Sequence, residues 1–100
     1  MTAVRRFVAD REWSRFHTPE NLAKSISIES GELLELFQWS SNADEAALAD
    51  ELADVLTYSY LLADSLGLDP NRLVRDKAAI TERKYPIERS FGRSEKYDRL

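Results

Sequence analysis

The sequence predicts an all-α protein, a four-helix bundle-like chain that is completed by oligomerisation. Apolar residues recur every three to four positions, and no stretch alternates apolar and polar residues for long enough to form a sheet. A chain of 100 residues builds only a modest core, so its long amphipathic helices are expected to bury further apolar surface against other copies. We therefore expect a homodimer or a homotetramer.

Capping residues and helix breakers set the limits of the four predicted helices. Thr18 supplies an N-cap, and Pro19 follows at the first helical position of the second helix. Asp44 begins the third helix, and the pair Asp69-Pro70 begins the fourth in the same way. The helices are predicted over about residues 3–15, 19–40, 44–66 and 70–84.

The last predicted helix is ended by Pro86, which leaves a charged C-terminal tail over residues 86–100. No repeat or low-complexity linker divides the chain, so we interpret residues 1–100 as a single domain.

Composition and charge exclude several classes of protein. The chain has no cysteine and one histidine, so any metal must be held mainly by oxygen. Residues 1–71 carry 5 basic and 13 acidic side chains, whereas residues 72–100 carry 9 basic and 5 acidic ones. Because no basic face dominates, we expect no nucleic-acid binding. No signal peptide and no apolar run of the roughly 20 residues that span a bilayer is seen, so we expect a cytoplasmic protein without a membrane partner.

Two acid pairs lie beside the apolar stripes of the second and third helices. In the second helix, Glu29 falls at the rim of the stripe and Glu32 further around the same flank, whereas Glu35 points to the far side. In the third helix, Glu51 and Asp54 line one flank of the stripe in the same way. Antiparallel packing of the two helices would bring the four flanking carboxylates together.

Such a cluster is unfavourable without a cation. Two carboxylates about 5 Å apart repel by roughly 3 kcal/mol at an effective dielectric constant near 20. Oxygen ligands favour Mg²⁺, with Mn²⁺ as a second possibility, over Zn²⁺. The alternative is that both pairs belong to solvated helix faces.

Four segments in order carry a resemblance to a known family. These are "DREWSRFHTPENL", "ESGELLELFQW", "ELADVLTY" and "KAAITERKYP", and 18 residues separate the E-x-x-E and E-x-x-D pairs. The chain resembles the MazG-like all-α nucleoside triphosphate pyrophosphohydrolases, in particular their dCTP pyrophosphatase branch.

The resemblance implies an enzyme of nucleotide-pool cleansing. Its reaction would be Mg²⁺-dependent attack of water on a nucleoside triphosphate, favouring dCTP-like pyrimidine nucleotides and releasing monophosphate and pyrophosphate. The implied metal ligands and catalytic residues are Glu29, Glu32, Glu51 and Asp54. One of the glutamates would also polarise the attacking water.

The same resemblance implies further contacts with the nucleotide. Lys77 and Lys84 lie on one side of the fourth helix and would reach phosphates, together with Thr81, where family members usually have asparagine. The resemblance places Trp13 and His17 near the nucleobase, whereas helical geometry offers Trp39 for stacking on the base and Tyr58, one turn beyond Asp54, for contact with the sugar. Trp39 is expected near Glu32 if the second helix continues to residue 40.

Two other functions are compatible with the same helices. One is a non-catalytic nucleotide-binding or interaction module, since Thr81 could signal lost activity. The other is a phosphoribosyl-ATP pyrophosphohydrolase-like enzyme. The aromatic and histidine segment near the N-terminus favours free nucleotides over the latter.

Overall fold

The computed structural model describes residues 2–94, and within them it is all-helical, as predicted. The predicted tail therefore extends beyond the described part of the chain, and residues 95–100 lie outside it. The described elements are α1 (Thr2–Asp10), a 3₁₀ helix (Trp13–Phe16), α2 (Pro19–Glu35), α3 (Glu45–Ser65), α4 (Pro70–Lys84) and α5 (Ile87–Ser90).

The three longest helices begin where the capping residues predict. The Thr18 hydroxyl accepts a hydrogen bond from the backbone N–H of Asn21 at 3.1 Å. The Asp44 carboxylate accepts one from the N–H of Ala47 at 3.0 Å, and Asp69 caps α4 in a similar way. Each cap satisfies an N–H group that the helix itself leaves without a partner.

The first two helices end earlier than predicted. α1 stops at Asp10, and Glu12 then adopts a left-handed conformation with φ of 53° before the 3₁₀ helix. This turn breaks the continuous helix that was expected over 3–15. α2 ends at Glu35 because hydrogen bonds of the i to i+3 type replace the α-helical pattern over the next three residues.

The chain forms two compact units, which divide after Leu68. In the N-terminal unit, the buried side chains of Val8, Leu22 and Leu61 form the core, and Tyr58 packs against it. Leu22 lies near the start of α2 and Leu61 near the end of α3, so the two helices run antiparallel. The predicted packing of these helices is therefore observed.

The C-terminal unit contains α4 and the short helix α5, which the sequence analysis did not predict. α5 begins directly after Pro86, so the proline that ends the preceding segment also starts a new helical turn. None of the residues of α4 is buried.

Much apolar surface remains exposed in the described chain. The side chains of Ile28 and Leu34 on α2 are 62% and 70% exposed, and Leu52 and Leu56 on α3 are nearly half exposed. Among the described helices, none combines the length and the hydrophobicity that crossing a bilayer requires.

Candidate functional site

The antiparallel packing of α2 and α3 gathers acidic side chains from both helices. One carboxylate oxygen each of Glu29, Glu51 and Asp54 lies within 4.8 Å of the others. Glu32 is exposed but lies close enough to Glu29 and Glu51 to influence the pKa of both. We call these four residues, Glu29, Glu32, Glu51 and Asp54, the acid cluster.

Two oxygen atoms of the acid cluster have no partner in the described chain. Oε2 of Glu29 and Oε2 of Glu51 are buried and accept no hydrogen bond there. Buried polar atoms of this kind are rare because leaving them unsatisfied is unfavourable. Together with the all-oxygen donor set, they fit a hard divalent cation, which would satisfy both atoms at once.

The carboxyl groups respond to this crowding with raised pKa values. The pKa of Glu29 rises from 4.5 to about 7, first because a hydrogen bond with Glu32 becomes possible when one of the two is protonated. Desolvation and the charges of the other three acids raise it further. The pKa of Glu51 is raised mainly by desolvation and then by the charge of Glu32. The metal-free cluster therefore favours binding of protons, and a cation would compete with them.

Glu35 takes no part in this arrangement. Its side chain is exposed, and it does not contribute to either raised pKa. The helical spacing therefore separates Glu35 from Glu29 and Glu32 as predicted.

A cavity of about 150 Å³ adjoins the acid cluster, because Asp54 belongs to both. Three of the predicted base and sugar contacts line this cavity: Trp13, His17 and Tyr58. Its other walls come from Val4, Phe7, Val8, Thr57 and Leu61. A mostly apolar and aromatic cavity beside a carboxylate cluster suits a flat ring that is joined to a charged group.

Tyr58 and His17 have structural contacts as well as a place in the cavity. Tyr58 is half-buried and packs against the core formed by Val8, Leu22 and Leu61. His17 is half-buried, and its backbone N–H donates to the carbonyl of Ser14 at 3.1 Å. The side chain of Tyr58 and the backbone of His17 therefore have structural contacts of their own.

His17 also lines a second cavity of about 410 Å³. Arg5 and Asp64 form an ion pair at its edge, and this pair links α1 to α3. Val8 and Leu61 line both cavities. α1 therefore contacts α3 through a small apolar cluster and this ion pair.

The structure does not bring Trp39 to the cavity beside the acid cluster. Its side chain is 89% exposed and follows the end of α2. The projection that placed Trp39 near Glu32 assumed an α-helix to residue 40, and the helix ends before that point. Its assignment to the base stays a prediction.

The predicted phosphate contacts belong to the C-terminal unit. Lys77 and Thr81 line an open groove on α4 together with Leu73 and Val74. Lys84 is the last residue of the same helix. Their contact with phosphates stays a prediction from the sequence.

Phe7, Val4 and Thr57 line the cavity but were not singled out from the sequence. Thr57 lies one helical turn after Asp54, so the spacing that identified Tyr58 would also have identified Thr57. Phe7 gives no such signal, because its approach to Trp13 depends on the turn at Glu12.

Comparison with known proteins finds similar sequences over most of the chain. The MazG-like family matches residues 24–100. The chain is 40% identical to dCTP pyrophosphatase 1 of Rattus norvegicus and 38% identical to that of Homo sapiens, in each case over 94% of this chain. It spans 61% of the length of these two relatives.

A solved structure is also similar to this chain. A pyrophosphatase from Archaeoglobus fulgidus DSM 4304 superposes with a TM-score of 0.78 at 42% sequence identity. The match covers 85% of this chain and 87% of that one.

Proposed function

The chain belongs to the MazG-like family, and from this premise we propose that it hydrolyses nucleoside and deoxynucleoside triphosphates to monophosphate and pyrophosphate. The observation that carries the proposal is the pair of buried, unpartnered oxygens of Glu29 and Glu51 beside Asp54 and an aromatic cavity. The names of the relatives, dCTP pyrophosphatase 1, support dCTP-like pyrimidine nucleotides as the favoured substrates.

Mg²⁺ is the cofactor that we propose, and Mn²⁺ is expected to replace it. Glu29, Glu51 and Asp54 would hold the cation, and exposed Glu32 would complete its ligands. When bound, the cation supplies charge neutralisation for the phosphates and activation of the attacking water.

The side chains of the acid cluster have two tasks in this reaction. They would hold the cation beside the cavity that Asp54 lines, and so align the phosphates with the nucleoside. One glutamate of the cluster would also polarise the attacking water and accept its proton.

The cavity would take the nucleoside. The indole of Trp13 offers a stacking face, and the ring nitrogens of His17 offer hydrogen bonds to a base edge. Tyr58 would lie against the sugar, one turn after Asp54. Stacking supplies affinity for any base, whereas the edge contact supplies the preference for cytosine.

The C-terminal unit would contribute the basic residues. Lys77 and Lys84 are proposed to contact the phosphates, with Thr81 in the place where the family usually has asparagine. The family match over residues 24–100 spans both compact units, which supports one catalytic domain over residues 1–100.

Self-association is part of the proposal. The described chain buries few apolar side chains, and Ile28, Leu34 and Leu56 are among many that stay exposed. Exposed apolar faces of this extent favour a homodimer or a homotetramer. Light scattering of the purified protein tests this, and a stable, active monomer at micromolar concentration would contradict it.

Release of pyrophosphate from a panel of triphosphates tests the activity. With Mg²⁺, we expect dCTP to be cleaved more efficiently than dATP or dGTP, and phosphoribosyl-ATP not to be cleaved. Equal cleavage of purine nucleotides would remove the pyrimidine preference but keep the reaction. If no triphosphate yields pyrophosphate, the chain is a non-catalytic module instead.

A further inference from the structure

Two aromatic rings form one wall of the cavity beside the acid cluster. The rings of Phe7 and Trp13 meet edge to face, with centroids 5.4 Å apart and an interplanar angle of 75°. Both side chains line the cavity, although each is nearly half exposed. The edge of one ring on the face of the other is a favourable geometry that restricts rotation of both.

Arg11 completes this wall from the outside. Its guanidinium lies 3.7 Å from the centroid of the Phe7 ring and 5.9 Å from that of Trp13. It also donates a hydrogen bond to the carbonyl of Phe7 at 3.1 Å, which fixes the guanidinium over the ring. We call Phe7, Arg11 and Trp13 the aromatic wall.

The local structure around Trp13 provides little else to orient the indole. Trp13 begins a 3₁₀ helix of 4 residues, none of which is buried. The preceding residue, Glu12, has φ of 53° and makes no side-chain capping hydrogen bond to this helix. Because this helix is short and exposed, the ring contacts with Phe7 and Arg11 contribute to the orientation of the indole.

We propose that Phe7 and Arg11 are positioning residues that hold the Trp13 indole in place for stacking on the nucleobase. This rests on the proposed function, because the cavity is taken as the base site. Arg11 does not line the cavity and acts through its neighbours, whereas Phe7 also lines the cavity. The emission of Trp13 therefore separates support of the indole from direct contact of Phe7 with the base. Loss of either residue should weaken nucleotide binding without slowing the chemical step.

The chain offers a matched control for the experiment. Arg15 lies over the ring of Phe16, with its guanidinium 5.0 Å from the centroid. This second pair has the same chemistry and a similarly exposed ring, at 57%, but lines none of the cavities described above. Phe16→Leu and Arg15→Met therefore show what loss of such a pair does away from the base.

Tryptophan emission reports the position of the indole directly. The chain has only two tryptophans, so a Trp39→Phe background leaves Trp13 as the sole emitter. In that background, Phe7→Leu should shift the emission to longer wavelength and increase quenching by acrylamide. Phe7→Tyr should restore both, and Phe16→Leu should leave both unchanged.

Steady-state kinetics test the effect of the same variants on function. With Trp39 retained, Phe7→Leu should raise KM for dCTP by about 2- to 12-fold, the range expected for loss of one aromatic pair, at nearly unchanged kcat. Arg11→Met should give a smaller rise in the same direction. Phe16→Leu and Arg15→Met should match the parent protein.

Several results would overturn the positioning role. It fails if Phe7→Leu leaves the Trp13 emission unchanged, if KM stays the same, or if Phe16→Leu raises KM equally. A parent protein that releases no pyrophosphate refutes the proposed function. In that case, binding of dCMP, followed through Trp13 emission, tests the positioning role by itself. It survives if Phe7→Leu weakens dCMP binding selectively, and it is rejected if dCMP does not bind the parent.

Discussion

The acid cluster and the aromatic wall adjoin the same cavity but are held in place by different means. The acids project from α2 and α3, two long helices that pack through a shared core, so the helical repeat fixes their positions. The wall depends on a left-handed residue, Glu12, and on contacts between exposed rings. The first region stands on two packed helices and is electrostatically unfavourable, whereas the second is held by contacts among partly exposed side chains.

The two regions are therefore expected to control different properties, catalysis for the acid cluster and nucleotide affinity for the aromatic wall. Changes in the acid cluster should remove catalysis and leave folding intact, because the metal-free acids oppose folding through mutual repulsion. Changes in the aromatic wall should reduce affinity, because stacking is equally available in the ground state and the transition state.

Glu51→Gln and Asp54→Asn should each reduce pyrophosphate release by at least about 100-fold, the scale of loss for a group that stabilises developing charge. Circular dichroism should stay unchanged, because neither carboxylate supports the core. Glu35→Gln is the control and should be nearly silent, since Glu35 is exposed and lies apart from the cluster. Comparable losses of pyrophosphate release in Glu35→Gln and Glu51→Gln would show that the acid cluster does not differ from surface acids.

Trp13→Ala should raise KM for every accepted nucleotide, because stacking tolerates any base. The expected size is roughly 5- to 150-fold, from stacking energies of about 1–3 kcal/mol per base. kcat should change much less. A fall in kcat with unchanged KM would show that Trp13 affects the chemical step, as the acid cluster does, and not nucleotide binding.

His17→Ala should weaken the preference for dCTP over dATP by a smaller factor, because a ring nitrogen is lost at the cavity wall. The measurement is the ratio of kcat/KM for the two nucleotides. His17→Gln is a useful companion, since its amide retains hydrogen-bonding ability. An unchanged ratio in His17→Ala would assign base selection to another residue.

The metal-free protein should lose stability as the pH rises. Glu29 has a pKa of about 7 in the folded chain against an ordinary 4.5, so the native state binds more protons than the unfolded state between these values. The free energy of unfolding in EDTA should therefore be higher near pH 5 than near pH 8. The raised pKa of Glu51 acts in the same direction.

Glu29→Gln should flatten this pH dependence, and saturating Mg²⁺ should stabilise the parent protein most at the higher pH, where cation and protons compete least. Urea titrations with and without EDTA measure both effects. A parent protein that gains stability with rising pH in EDTA would show that other groups dominate its titration.

The smallest effect is expected for the ion pair that links α1 to α3. Arg5 is 59% and Asp64 36% exposed, so removal of the pair should cost no more than about 1 kcal/mol. Arg5→Gln, Asp64→Asn and the double variant should therefore have similar unfolding free energies in urea. A much larger loss would mean that α1, and with it the aromatic wall, depends on this contact.

The sequence by itself determined the features that arise from local capping and regular spacing. Thr18, Asp44 and Asp69 predicted the starts of three helices, since a cap acts on the N–H groups that follow it within the same turn. The two acid pairs were predicted on facing flanks because the helical repeat places residues three apart on the same side of a helix. Spacing also separated Glu35 from the cluster.

Only the tertiary structure decided where the helices stop and which aromatic residues meet. Nothing in the local pattern required α2 to tighten after Glu35, so the position expected for Trp39 was derived from helical turns that do not form. The contact between Phe7 and Trp13 requires the left-handed turn at Glu12, a conformation that a glutamate's own preferences disfavour. Such a conformation persists where surrounding packing compensates its cost, and packing across a turn cannot be deduced from spacing along the chain.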